Sequence, residues 1–162
     1  MNIFYLHKDP VIAAKVQYNK HVVKMILESA QMLCTAHHHY DENTDVPYKK
    51  AHYNHPSTKW TRQSIHHVDW LLNHGFEICS EFKKRYGKTH ATENVLEWVR
   101  VNKHLLDGKI PTTEFIPPPQ CMPEEYKLPD TIEAYKKFYI EDKIGVKGLS
   151  WKKLNNKPSW IP

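Results

Sequence analysis

The stretch that decides the fold is NKHVVKMILESAQML, residues Asn19 to Leu33. At about 100° per residue, its apolar side chains, Val23 and Leu27 among them, cover more than half of a helical wheel. A surface helix usually has a narrow apolar stripe and a broad polar face. We therefore predict a helix that crosses the interior and leaves one polar strip open. The strip consists of Gln17, His21, Lys24, Glu28, Gln31 and Thr35.

Composition places the chain among globular proteins with one domain. It has 162 residues, of which 40% are hydrophobic and 12% aromatic, and a chain of this length buries a substantial core. No run approaches the roughly 20 apolar residues of a transmembrane helix, and the start, MNIFYLHKDP, lacks the pattern of a signal peptide. The three cysteines, Cys34, Cys79 and Cys121, form no CxxC pair. We expect a cytoplasmic protein with free thiols and no membrane partner.

The positive charge of the chain is concentrated near its C-terminus. The net charge is +5, and the segment 143–162 holds five lysines and no acidic residue, so the rest of the chain is balanced. Basic and aromatic side chains in alternation suit phosphate contact and base stacking. The alternative is a solvated tail held in place by its two tryptophans. The residues concerned are Lys143, Lys147, Trp151, Lys152, Lys153, Lys157 and Trp160.

The periodicity predicts an all-α fold in a single domain, residues 1–162. Asp9 followed by proline signals a helix start, and helical periodicity continues to about residue 39 with a break near residue 18. Residues 41–56 are polar and contain two prolines, so they predict a loop.

A second long helix is predicted from about Ser57 to Tyr86, where Gly87 ends it. Gly75 lies within its apolar face, where a missing side chain allows another backbone to approach closely. Trp70 is the one large apolar residue that points away from this face. The opposite side is expected to be solvated, and it carries Lys59, Arg62, His66, Glu77, Glu81 and Lys84.

The second half of the chain predicts two further helices separated by an extended segment. One helix covers roughly Thr92 to Leu106. Residues 110–129 contain PTTEFIPPPQCMPEEYKLP, in which six prolines within 19 residues favour extended chain that wraps the surface. The last helix opens with Asp130 and Glu133 in capping-box spacing.

The polar strip of the first long helix holds the residues with chemical potential. His21 and Glu28 are seven residues apart on one face, and Lys24 lies between them. One interpretation is a surface ion pair between Lys24 and Glu28 that stabilises the helix slightly. The other is a carboxylate inside a cleft, where a neighbouring amine tunes it for proton transfer or imine chemistry. The twelve histidines show no HExxH-type grouping, so we expect no metal.

Three motifs, LHKDP, KHVVKMILES and EICSEFKKRYGK, resemble those of the phage-type pyrimidine-dimer DNA glycosylases/AP lyases, the endonuclease V-type repair enzymes. In that family a histidine is followed seven residues later by the catalytic glutamate, and His21 and Glu28 match this pair. The second long helix of the family ends in charged residues followed by glycine. With one inserted residue, Glu77, Glu81, Arg85 and Gly87 reproduce this pattern.

The resemblance implies a compact helical enzyme that needs no cofactor. An α-amine would attack the sugar of a damaged nucleotide, release the base through an imine and cleave the strand by β-elimination. The glutamate would transfer protons and stabilise the cationic sugar. An α-amine suits this role because its ordinary pKa near 8 leaves more free base at pH 7 than a lysine does. The C-terminal aromatic residues Tyr139, Trp151 and Trp160 are the nearest candidates for the dimer-contacting tail of the family.

The chain departs from the family at the amine itself. The best-known member exposes a small residue after losing its initiator methionine, whereas position 2 here is Asn2, which disfavours removal of Met1. The segment before His21 is also longer. Three possibilities follow. The amine of Met1 or Asn2 folds back to Glu28, Lys24 supplies the amine of the imine instead, or the activity is absent.

The sequence thus predicts a DNA-repair glycosylase/lyase that acts as a monomer on lesion-bearing double-stranded DNA in a bacterial or phage-infected cell. Glu28 would be the acid/base and the N-terminal amine the nucleophile, with His21 and Lys24 in support. Lys59, Arg62 and the tail lysines would hold phosphates. Two alternatives remain open: a phage transferase that modifies a flipped pyrimidine, and a DNA-binding module without catalysis.

Overall fold

A computed structural model of the protein describes residues 1–41, 45–144, 150–151 and 157–162. Short 3₁₀ segments occur at Lys103–Leu106 and Glu124–Tyr126, and a π-helical turn occupies Tyr139–Lys143. No strand occurs in these ranges, so the all-α prediction is confirmed. The helices are α1 (Pro10–Lys15), α2 (Asn19–Tyr40), α3 (Pro56–Thr61), α4 (Ile65–Tyr86), α5 (Glu93–Asn102) and α6 (Thr131–Phe138).

Helices α2 and α4 pack against each other at the centre of the molecule. Gly75 marks the close approach that its position predicted, because a Cβ there would lie 3.1 Å from Leu96 of α5 and 3.8 Å from Ser29 of α2. The nearest neighbour is a leucine side chain and not a backbone, which corrects that detail. A side chain at Gly75 would therefore push α5 away from the α2–α4 pair.

The open strip of α2 differs from the predicted one. Val23 and Leu27, expected to face inward, are 41% and 40% exposed. Gln17 and Thr35, expected in the polar strip, are fully buried. Each has a partner on another segment: Gln17 bonds the ring of His74, and Thr35 bonds the backbone of Ala51. Polar groups that have hydrogen-bond partners are tolerated in a core. A prediction of the exposed strip from polarity alone was therefore wrong.

The predicted helix from Ser57 to Tyr86 is two helices, α3 and α4. The break lies before Ile65, where the Ser64 side chain accepts from the amide of His66 as an N-cap. The Ser64 hydroxyl also donates to the carbonyl of Thr113 at 2.5 Å. A serine that caps a new helix competes with continuation of the old one. The predicted end is confirmed, since Gly87 adopts φ +69° as the C-cap of α4.

The side of α4 that was expected to be solvated is so only in part. His66 and Lys84 are exposed, but Trp70 and Glu81 are covered by the N-terminal part of the chain or paired with a buried residue. Trp70 is 8% exposed and donates from its indole nitrogen to the carbonyl of Lys8 at 2.8 Å. Glu81 and Arg85 are both 2% exposed and pair at 3.1 Å. Arg85 also donates to the carbonyl of Gln17 at 2.7 Å. These contacts fix α1 and the start of α2 against the end of α4.

The proline-rich segment crosses α3 and the start of α4. The carbonyl of Ile116 accepts from the indole of Trp60 at 2.9 Å, and its amide donates to His67 at 3.1 Å. Asp130 caps α6 as expected, since its side chain accepts from the amide of Glu133 at 2.9 Å. Within the described ranges, no helix is both long and apolar enough to cross a membrane.

Candidate active site

Three nitrogens surround the carboxylate of Glu28. The amide of Asn2 donates to Oε2 at 3.0 Å, and the α-amino group of Met1 lies 3.9 Å from the same oxygen. Nζ of Lys24 lies 3.2 Å from Oε1. Glu28 is only 7% exposed, so these contacts are screened less than surface pairs are. The ion pair with Lys24 is present, but it explains only one of the three contacts.

The amine reaches Glu28 because the first residues are packed into the core. Residues 3–6 are each at most 5% exposed, and Phe4 has a positive φ of 55° that turns the chain. A bulky residue in this region is strained, and such strain persists only where the surroundings fix it. The side chain of Met1 is 1% exposed and packs on the core, which fixes the position of its α-amino group. Apolar residues at 3–6 were the available sequence signal for this burial, which sequence reasoning missed.

His21 lies in an aromatic cage and not in the cleft. Its Nδ1 lies 2.6 Å from the hydroxyl of Tyr139, its Nε2 lies 3.0 Å from that of Tyr18, and its ring stacks on Phe4 at 3.7 Å. Burial, and to a lesser extent the charges of Lys143 and Lys24, lower the pKa of His21 to about 2. The ring is therefore neutral at physiological pH. Its contacts suit it to hold Phe4, and with it the N-terminal segment, in place.

A cavity of about 650 Å³ lies beside these groups, and it is lined in part by His55, Cys121 and Lys127. It adjoins the site because the carbonyl of Cys121 accepts from the Asn2 side chain at 2.8 Å. Nδ1 of His55 accepts from the amide of Ser57 at 3.1 Å and so caps α3. Burial lowers the pKa of His55, and the charge of the Met1 amine lowers it further. Sequence reasoning missed His55, although a histidine directly before proline at a helix start was visible.

The two basic candidates of α3 have different surroundings. Lys59 is exposed and lines a second cavity of about 370 Å³ together with Trp60. Arg62 is only 9% exposed, because its guanidinium lies 4.0 Å from the ring centroid of Tyr53 and donates to the carbonyl of that residue at 2.8 Å. Lys59 is therefore open to a phosphate, whereas Arg62 is engaged in holding the 45–55 loop.

The aromatic residues of the tail are packed on the fold. The indole of Trp151 donates to the carbonyl of Val16 at 2.8 Å, and the ring of Trp160 lies 6.1 Å from that of Tyr139. Lys157 donates to the carbonyl of the last residue at 2.8 Å. These contacts match the alternative in which two tryptophans hold the tail. Three of the predicted DNA-binding residues, Lys147, Lys152 and Lys153, lie outside the described residues.

The geometry places an amine beside a shielded carboxylate. An uncharged amine can act as a nucleophile, and a neighbouring carboxylate can take up its proton and stabilise positive charge. Among the described residues, no three His, Cys, Asp or Glu side chains are grouped to share a metal ion.

A comparison with known families decides the assignment. The sequence model of the family described as pyrimidine dimer DNA glycosylase matches residues 1–94, which is more than half of the chain. The chain belongs to this family. Its substrate is accordingly DNA, and the resemblance seen in the motifs is confirmed. No curated protein and no solved structure matches the chain.

The match to the pyrimidine dimer DNA glycosylase family covers only part of the candidate site. It includes Met1, Asn2, Lys24 and Glu28. The proline-rich segment and α6 lie beyond residue 94, so the contacts that these elements make with the N-terminus are features of this chain and not of the family match.

Proposed function

We propose that the protein removes a damaged pyrimidine from double-stranded DNA and then cleaves the strand at the abasic site as a lyase, acting as a monomer. The observation that carries this proposal is the position of the Met1 amine, 3.9 Å from the buried carboxylate of Glu28. A nucleophile and a proton acceptor held together avoid the entropic cost of bringing them together during the reaction.

The reaction proceeds by displacement and elimination. The free amine attacks C1′ of the damaged nucleotide, the glycosidic bond breaks, and its electron pair leaves with the base, which takes up a proton from water. The amine loses a proton to Glu28, and the sugar ring opens as its oxygen gains that proton, which leaves an iminium between C1′ and the enzyme. Loss of the C2′ proton then expels the 3′-phosphate, and water releases the amine.

We assign the nucleophile to the α-amine and not to Lys24. Met1 has a buried side chain that keeps its amine at Glu28. If Met1 were removed, the new amine of Asn2 would start from the 3.0 Å contact that its amide makes now. Lys24 has a side chain that is 65% exposed, so its ammonium is in contact with solvent and better suited to a phosphate. His21 holds the N-terminal segment, while Lys59 and the tail lysines contact the DNA backbone.

Borohydride trapping on abasic duplex DNA tests the proposal, because it reduces the imine to a permanent cross-link. The native protein should cross-link, Lys24→Ala should retain cross-linking, and residues added before Met1 should abolish it. Glu28→Gln should reduce trapping at least a hundredfold with DNA binding retained. Glu97→Gln, on the exposed face of α5, is the matched control and should trap like the native protein.

The same assay distinguishes the remaining candidates. Mass analysis of the cross-linked peptide identifies whether Met1, Asn2 or Lys24 carries the sugar. Duplexes that contain a thymine dimer, an abasic site or a modified pyrimidine identify the substrate. Binding to abasic DNA without any cross-link would refute the lyase assignment, and conversion of the modified pyrimidine alone would indicate the transferase.

A further inference from the structure

The side chain of Asn2 connects the N-terminus to the second half of the chain. Its Nδ2 donates to the carbonyl of Cys121 at 2.8 Å. Its Oδ1 accepts from the hydroxyl of Tyr135 at 2.6 Å and from the amide of Ile3 at 2.8 Å. The side-chain amide is thus bonded on both sides, while the backbone nitrogen of the same residue faces Glu28.

The groups that hold Asn2 are themselves fixed. Tyr135 is fully buried in α6, and its ring packs edge-on against Phe4 at 5.9 Å. The amide of Cys121 donates to the Tyr135 hydroxyl at 3.3 Å, and the carbonyl of Pro119 lies 2.9 Å from it. A hydroxyl carries one proton, so the shorter contact to Asn2 is the one we assign to it.

We propose that Tyr135 is a positioning residue for the N-terminal amine: through Asn2, its hydroxyl holds the first two residues against Glu28. Residues 119–135, which lie outside the family match, therefore complete the reaction centre. This inference rests on the proposed function in taking the α-amine as the nucleophile. Tyr135 itself touches no reacting atom, because its hydroxyl ends at the Asn2 side chain.

The substitution Tyr135→Phe separates positioning from packing. It retains the ring against Phe4 and removes only the hydroxyl, so the fold should persist. Tyr40→Phe is the matched control, because it removes the hydroxyl of another tyrosine that donates one short hydrogen bond, to the carbonyl of Arg62 at 2.7 Å. Asn2→Leu removes the other end of the same hydrogen bond from a half-buried residue and serves as the second variant. Leucine is large, so this change, unlike one to alanine, keeps Met1 on the chain.

Two measurements report on the position of the α-amine, one without DNA and one with abasic duplex. In DNA-free protein, the α-amine of Tyr135→Phe should react several-fold faster with an amine-selective reagent, because it is no longer held at Glu28. Labelling is quantified on the N-terminal peptide by mass spectrometry. In single-turnover trapping on abasic duplex, Tyr135→Phe and Asn2→Leu should each lose roughly ten- to hundredfold in rate, the range expected when a reacting group is displaced by about 1 Å.

A positioning role also requires that DNA affinity stay unchanged and that the double variant lose little more than either single one, because both remove one interaction. Tyr40→Phe should match the native protein in both measurements. Unchanged labelling and unchanged trapping in Tyr135→Phe would overturn the inference. If the native protein never cross-links, the proposed function fails, but the labelling comparison still decides whether Tyr135 holds the amine.

Discussion

His55 is tied to α3 by one ring nitrogen and lines the cavity beside Glu28 with the rest of its ring. Because Nδ1 accepts from the Ser57 amide at 3.1 Å, a neutral ring carries its proton on Nε2. Burial and the Met1 amine both lower the pKa of His55, which favours this neutral form. At physiological pH the residue is a hydrogen-bond donor to whatever occupies the cavity.

We predict that His55→Ser weakens the reaction without unfolding α3. Serine is a good N-cap but is too short to reach into the cavity. Loss of one hydrogen bond worth about 0.5–1.5 kcal/mol should lower the single-turnover rate on lesion duplex by up to roughly tenfold. His7→Ser is the control, because His7 makes the same type of bond, from the amide of Asp9 at 2.9 Å, and lines neither of the two cavities beside the site. Equal rates for the two variants would contradict a role for His55.

At single positions, sequence reasoning succeeded where spacing within one helix carried the information. The contact between Lys24 and Glu28 was predicted in this way, and its distance of 3.2 Å follows from the helix geometry. The same reasoning failed at Trp70, Arg62 and Glu81, which a helical wheel places outside. Their burial is due to partners from other segments, and a wheel contains no information about the neighbours of a helix.

The segment from Val46 to Val68 is a basic element at the surface of the molecule. It contains no aspartate or glutamate, and all three of its lysines, Lys49, Lys50 and Lys59, are exposed. It also contains His55 and therefore borders the candidate site. A surface of one charge sign beside a reaction centre suits the DNA backbone.

We predict that this segment contributes to the salt dependence of DNA binding. Each neutralised phosphate adds about −0.9 to the slope of log affinity against log salt. Replacing Lys49, Lys50 and Lys59 together with glutamine should therefore flatten the slope by about two to three. The control replaces the exposed lysines at the far end of α4 and beyond its cap, Lys83, Lys84 and Lys88, and should leave the slope nearly unchanged.

The tail provides the competing outcome in the same titration. If Lys147, Lys152 and Lys153 carry the phosphate contacts, their replacement should flatten the slope and the segment variant should not. An unchanged slope in both would exclude a phosphate role for either group.

Helix boundaries were predictable only where a local signal was strong. Asp9 with Pro10, and Gly87, each mark an end that the structure confirms. The break before α4 lies at Ser64, whose hydroxyl accepts from the amide of His66 and also donates to the carbonyl of Thr113 in the proline-rich segment. The start of α4 is thus in contact with a residue 49 positions away along the chain, which no local signal indicates.

On the scale of the whole molecule, the helical content was predictable, but the contact between the N-terminus and α6 was not. Asn2 and Tyr135 are 133 residues apart in sequence, and no periodicity or motif links positions at that separation. Residues 3–6 and the proline-rich segment each looked like ordinary termini or loops. The contact between the N-terminus and that segment, from the Asn2 side chain to the carbonyl of Cys121, forms only in the folded chain.

Two buried histidines make the stability of the fold depend on pH. Burial lowers the pKa of His37 and of His74 to about 4, and neither residue is more than 1% exposed. In the unfolded chain the ordinary pKa is about 6.5, so below that pH the unfolded state binds more protons than the folded state. Stability is therefore full above pH 6.5 and falls as the pH drops toward 4, by about 1.4 kcal/mol per pH unit for each such histidine.

His37 is the best site for a test of this pH dependence, because neither of its ring nitrogens has a hydrogen-bond partner among the described residues. His37→Phe keeps an aromatic ring against Trp98, 5.1 Å away, and removes the titrating group. The free energy of unfolding in urea, measured between pH 6.5 and 4.5, should decline less steeply by about 1.4 kcal/mol per pH unit. Thr58→Val also removes a buried, unpartnered polar atom but no titrating one, so its slope should equal that of the native protein. A slope for His37→Phe that matches Thr58→Val would mean that His37 takes up its proton equally in the folded and unfolded states, and that burial does not shift its pKa.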